Sequence, residues 1–155
     1  MKVFIVFLGL FLIHVSFLSY QGDLGYYVRC QAFLKAVAEE CAAGAALYYD
    51  EEAYAEGCFR FLTDEGRKHI DYILEESRKT MPFPPDSVIS YEVIFRDDDL
   101  GYEGSQETGN DTETEGGERI PSVTVTITAL TEDLFRLPFL EVQEIKRAAK
   151  YELPY

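Results

Sequence analysis

KVFIVFLGLFLIHVSFLSY, Lys2 to Tyr20, runs without a proline into QGDLGYYVRCQAFLKAVAEECAAGAALYYD, Gln21 to Asp50. The apolar run from Val3 to about Tyr20 carries one ionisable side chain before Tyr20, His14. At ~1.5 Å of rise per residue it is long enough to cross a hydrocarbon layer of ~30 Å as a single helix. The pattern predicts a transmembrane anchor over residues 1–22, continuing as one helix to about Tyr49.

A cleaved secretory signal is the competing reading. It requires a basic n-region, a shorter apolar stretch and small residues before the cut. Here Lys2 is the one basic residue before the run, and Phe17-Leu18-Ser19 and Tyr20-Gln21-Gly22 each put an aromatic where a small residue belongs. An uncleaved single-pass anchor in the cell membrane is therefore expected, with residues 23–155 as one extracytoplasmic domain. That remainder is enough for one modest core and too little for two.

Net charge is −14, and Asp97 to Arg119 carries nine acids against Arg119 alone. A segment so acidic and so poor in apolar residues predicts a mobile loop at 97–119. The acidic exterior argues against nucleic acid and against an anionic lipid surface, both of which need a basic footprint. Three cysteines, an odd number, do not make the paired framework of small secreted domains. Cys30 and Cys41 lie ~16 Å apart along a straight helix, too far for a disulfide, so buried free thiols are expected.

Beyond Asp23 the helix shows a seam at alternating three- and four-residue spacing: Leu24, Tyr27, Gln31, Leu34, Ala38, Cys41, Ala45 and Tyr48. Leu34, Ala38, Cys41, Ala45 and Tyr48 are its candidate packing residues, beside the small patch Ala42-Ala43-Gly44-Ala45-Ala46. Small residues allow close helix approach, either to neighbouring helices or to the domain's own sheet. Both readings stay open in the sequence.

Acids at Asp50, Glu51 and Glu52 oppose a helix C-terminus and predict a stop near Tyr49. Cys58-Phe59-Arg60-Phe61 reads as a short β-like run. Thr63 with Asp64 and Glu65 reads as an N-cap opening a helix to about Thr80, with Ile70, Ile73, Leu74 and Ser77 on its packed side. Pro82, Pro84 and Pro85 end it. VISYEVIF (Val88 to Phe95) and SVTVTITAL (Ser122 to Leu130) read as strands flanking the acidic loop, the second with Val123, Val125, Ile127 and Ala129 on one face. The segment Val142 to Leu153 reads as a strand or a short helix. Its alternation of Ile145, Arg147, Ala149, Tyr151 and Leu153 favours a strand. The expected fold class is α+β, a long N-terminal helix packed on a small antiparallel sheet with one further helix.

The order of these parts resembles the TadE/TadF-like pseudopilins of Flp-type pilus and secretion systems, in the form of a divergent Gram-positive relative. The resemblance is carried by the membrane helix entering the Ala-rich segment (Ala38, Ala42, Ala43, Ala45, Ala46), the strand with Val123 and Val125, and the tail with Ala148, Ala149, Tyr151 and Glu152. It covers roughly half of the chain. In place of the family's Gly-Glu processing signal, Gly9 is followed by Leu10. The resemblance implies a membrane-anchored structural component that meets lipid through its N-terminal helix. It also implies contact with other pilus or secretion subunits, or with copies of itself, through the Ala-rich helix.

No catalytic constellation is visible. His69 and Asp71 are two apart on a helix and point different ways, and no Gly-rich phosphate loop, Cys/His metal spacing or Ser nucleophile elbow occurs. The chain is not expected to be an enzyme or to carry a cofactor or metal. Glu39 and Glu40 read as a solvated helix face, and Asn110-Asp111-Thr112 matches an N-glycosylation pattern. The alternative function is a secreted or tethered small binding domain whose acidic loop or sheet holds a ligand or Ca²⁺.

Overall fold

A computed structural model describes residues 2–102, 120–132, 134–136 and 141–153. The elements in chain order are α1 (Lys2–Ala45), α2 (Glu51–Ala55), α3 (Thr63–Arg78), β1 (Val88–Arg96), β2 (Ser122–Leu130) and β3 (Glu144–Glu152). The architecture is α+β, as the sequence indicates: a long N-terminal helix with a three-stranded antiparallel sheet in the order β1-β2-β3 and two further helices.

With no proline to interrupt its hydrogen-bond ladder, α1 is continuous over 44 residues. Its two halves meet different surroundings. Lys2 to Leu18 are all exposed, whereas Cys30, Leu34, Val37, Ala38, Cys41, Ala42 and Ala45 are buried. The helix closes on a tightened turn, Leu47 N–H donating to Gly44 O and Tyr48 N–H to Ala45 O, each at 3.3 Å.

The next segment differs from the expectation. Asp50, Glu51 and Glu52 do not merely stop α1; they open α2. The Asp50 carboxylate accepts from the N–H groups of Glu52 at 3.0 Å and Ala53 at 3.2 Å, a side-chain N-cap with the two glutamates in the favourable first turn. α2 ends in a Schellman turn. Cys58 N–H reaches Ala53 O and Gly57 N–H reaches Tyr54 O, both at 3.0 Å, and Gly57 takes the left-handed φ of 85° that the turn requires. The short β-like run is a single bridge, Tyr49 to Phe61, flanked by Asp50 N–H to Arg60 O and Leu62 N–H to Tyr48 O. Thr63 is the first residue of α3 rather than its cap, and Leu62 at the cap position makes no side-chain bond.

The sheet follows the predicted alternation. Val123, Val125, Ile127 and Ala129 of β2 are fully buried and are flanked in register by Phe95, Val93, Tyr91 and Ile89 of β1 and by Tyr151, Ala149, Arg147 and Ile145 of β3. Thr124, Thr126 and Thr128 lie on the opposite face. The inner face packs on the second half of α1, and α3 packs on α1 beside it with Ile70, Ile73 and Leu74 buried. One apolar core therefore joins α1, α3 and the sheet.

The acidic segment begins with residues that hold structure. Asp97, fully buried, accepts from Phe61 N–H at 2.7 Å, Leu100 N–H at 2.7 Å and Asp99 N–H at 3.1 Å. Asp98 accepts from Phe59 N–H at 2.7 Å and from the Tyr102 hydroxyl at 2.8 Å, and Asp99 lies 3.6 Å from Arg60. Carboxylates next to unpaired backbone N–H groups are worth more as acceptors than as solvated charges, so the expectation of a loop free of structure from residue 97 does not hold for Asp97 to Asp99. The rest of that expectation, residues 103–119, lies outside the described residues.

Candidate functional site on the long helix and at the base of the head

The candidate seam residues Leu34, Ala38, Cys41 and Ala45 are all buried, and Tyr48 is half-buried with its hydroxyl 3.4 Å from His69 Nδ1. They face α3, β2 and β3 of the same chain. Of the two readings open in the sequence, the small residues here serve the domain's own packing. The seam also drifts from its predicted line. Leu24 is exposed, Tyr27 and Gln31 are half-buried, and Cys30, Val37, Ala42 and Ala46 complete the buried stripe. An inward face wide enough to meet both a sheet and a helix needs two adjacent positions per turn, which a single three-four seam does not provide. The outward face of the Ala-rich helix is a separate surface, with Ala32, Lys35, Ala36, Glu39 and Glu40 exposed and Lys35 Nζ 3.7 Å from Glu39 Oε1.

Gly44 permits the closest approach on this stripe. A Cβ there would sit 2.5 Å from His69 Nε2. The His69 ring is held between Tyr48, at 5.4 Å between centroids, and Tyr72, at 6.5 Å. It therefore packs as a half-buried ring rather than lying open on the surface. Asp71 turns elsewhere and accepts from the Tyr91 hydroxyl at 2.8 Å.

All three thiols are free, with Cys30 and Cys41 buried and Cys58 half-buried. Burial pushes the Cys41 thiol up from 9.0 to about 12, and the Glu40 charge adds to the shift. A thiol raised in the folded state gives stability that is intact below the unfolded value and is lost as pH rises toward the folded one. Unfolding midpoints in urea should therefore fall as pH climbs above about 9, and Cys41→Ala should flatten part of that fall. An identical slope in the variant would show that Cys41 contributes nothing to it. Tyr91, raised to about 12 by burial and by its bond to Asp71, contributes to what remains, as do Tyr26 and Cys30, both raised chiefly by burial.

The end of the head nearest the apolar half of α1 was not legible as a site in the sequence. Tyr20 and Tyr27 lie 6.1 and 5.8 Å from the Phe135 ring, and the Tyr26 hydroxyl donates to Pro82 O at 2.5 Å. Asp23, 6% exposed, accepts from the Arg136 N–H at 3.0 Å, and its other oxygen lies 3.6 Å from Arg136 Nε. These contacts join residues 113 apart in sequence, and nothing near Asp23 or near Arg136 announces the pairing. Between α1 and the segment around Leu134 to Arg136 lies a cavity of about 560 Å³, lined by Leu18, Ser19, Gly22, Arg29 and Glu132 among others.

α1 is long and apolar enough to cross a membrane, and no residue of its most apolar 18-residue window is buried within the chain. A core helix of a water-soluble domain would be covered over that window. No family model, curated protein or solved structure matches this chain.

Proposed function

We propose that the chain is a membrane-anchored, pilin-like component of a bacterial pilus, secretion or envelope assembly, with a structural and interaction role rather than a catalytic one. The observation that carries this reading is the unbroken α1, exposed and apolar over Lys2 to Leu18 and built into the core of the head from Cys30 onward. Such a helix couples the head rigidly to whatever holds the apolar half. The resemblance to TadE/TadF-like pseudopilins names the class of assembly. Partners would be other subunits or further copies of the chain. With the seam residues covered, they would meet the outward face of α1 around Ala32 and Ala36 or the threonine face of the sheet.

The anchor is tested first. Protein extracted from membranes should carry residues 2–20 by intact mass and resist alkaline carbonate extraction. A mature start between Ser19 and Asp23 would overturn the anchor. Assembly is tested separately, with a photocrosslinking residue at Ala36 in cells expressing the intact system. Adducts with another envelope subunit or a ladder of self-adducts are expected, and their absence at Ala36 and across the threonine face would overturn the assembly role.

A further inference from the structure

We propose that the cavity at the base of the head seats the phosphate of one membrane phospholipid. The proposal rests on the anchor reading. Lys2 to Tyr20 rise ~28 Å as a helix, close to the ~30 Å of a hydrocarbon core, so the apolar layer ends near Leu18 to Tyr20. The headgroup layer occupies roughly the next 5–8 Å, the level of Asp23 to Gly25.

Two guanidinium groups lie at that level. Arg29 folds back along its own helix, its Nε donating to Gly25 O at 3.3 Å, which turns the charge toward the membrane side. Arg136 is held at the same depth by its contacts with Asp23. Both line the cavity. The Asp23 charge is answered by Arg136, whereas Arg29 is bonded to a neutral carbonyl and keeps its charge for a ligand. A guanidinium offers five N–H donors in a fork that matches two phosphate oxygens. Leu18, exposed, and Gly22, without a side chain, form the side of the cavity toward the acyl region. The aromatic cluster of Tyr20, Tyr27 and Phe135 lies at the depth where such rings gather at membrane interfaces.

The rest of the surface decides between a patch and a seat. A chain of net charge −14 is repelled by an anionic bilayer as a whole. Asp23 and Glu132 line the cavity with Arg29 and Arg136, so with Asp23 answered by Arg136 the site suits one phosphodiester held chiefly by Arg29, and binding should not depend on anionic lipid.

The full-length chain, reconstituted in nanodiscs of phosphatidylethanolamine and released for native mass spectrometry, should retain one phospholipid. R29Q should weaken retention about tenfold, the equivalent of one charge-assisted contact, and R29Q/R136Q should abolish it. R60Q, at the far end of the head, should retain lipid like the parent. Equal retention by the parent and R29Q overturns the proposal, and R29Q decides alone if the double variant unfolds. Retention of a phosphate-free galactolipid in place of phospholipid overturns the phosphate assignment. Displacement by excess inorganic phosphate marks a free-anion site and overturns the lipid assignment. The same spectrum reads the chain's mass: a start near Asp23 defeats the anchor reading itself, whereas an intact chain without lipid defeats the seat alone.

Discussion

Asp97→Ala is expected to lower Tm by roughly 10 °C, a loss of about 3 kcal/mol. The carboxylate is fully buried and accepts three backbone N–H groups, from Phe61, Asp99 and Leu100. Of these, the bond to Phe61 is buried, so its donor would be left without a partner and would cost about 1–3 kcal/mol alone. The other two are partly open, and water replaces part of what the carboxylate gives. Asp97→Asn keeps one acceptor oxygen and should lose about half as much. Thermal unfolding followed by near-UV circular dichroism separates the three proteins. A fall of less than about 3 °C for the alanine variant would show that the turn at Asp97 does not hold the Tyr49–Phe61 bridge against β1.

Ala45→Leu should destabilise the head by about 1–3 kcal/mol or more, while Ala32→Leu should be nearly neutral. Ala45 is fully buried at the end of α1, where α3 crosses at Gly66. The approach there is already tight: a Cβ on Gly66 would lie 3.0 Å from Phe95 Cζ and 3.4 Å from Ala45 O. Three further carbons at position 45 have to displace α3 or force strained rotamers, and the core is too dense to absorb either. Ala32 is exposed on the other side of the same helix. Urea midpoints of the two variants decide the matter. Equal values would mean that the close contact of α1 and α3 carries no specific packing energy.

What was legible in the sequence was whatever depended on period. Val123, Val125, Ile127 and Ala129 alternate without interruption, and β2 is where the pattern puts it. Ile145, Ala149 and their neighbours settle the last segment as β3 in the same way. Ile70, Ile73 and Leu74 mark the buried side of α3, and the lack of proline marks α1 as one helix. Illegible were the features made by polar groups meeting across the fold. Asp50, Glu51 and Glu52 carry the same charge whether they end one helix or cap the next, and the chain reversal that selects the cap is tertiary. Asp97 and Asp98 look like the opening of a solvated acidic run until the backbone of Phe59 and Phe61 is brought beside them. For the candidate seam, spacing showed that Leu34, Ala38, Cys41 and Ala45 are packed, but a small-residue stripe does not say which surface covers it. Tyr48, at the edge of the stripe, is half-buried against His69.

The continuity of α1 has a mechanical consequence. A load applied to the apolar half is not spent on unbending a linker, because none exists between the exposed residues and Cys30. It passes along the rod and reaches the head as shear, with the buried side chains from Cys30 to Ala46 resisting together against the sheet and α3. Contacts loaded in parallel yield at higher force than contacts opened one at a time. A load on the apolar half would thus be shared along the whole buried stripe rather than borne by one contact after another.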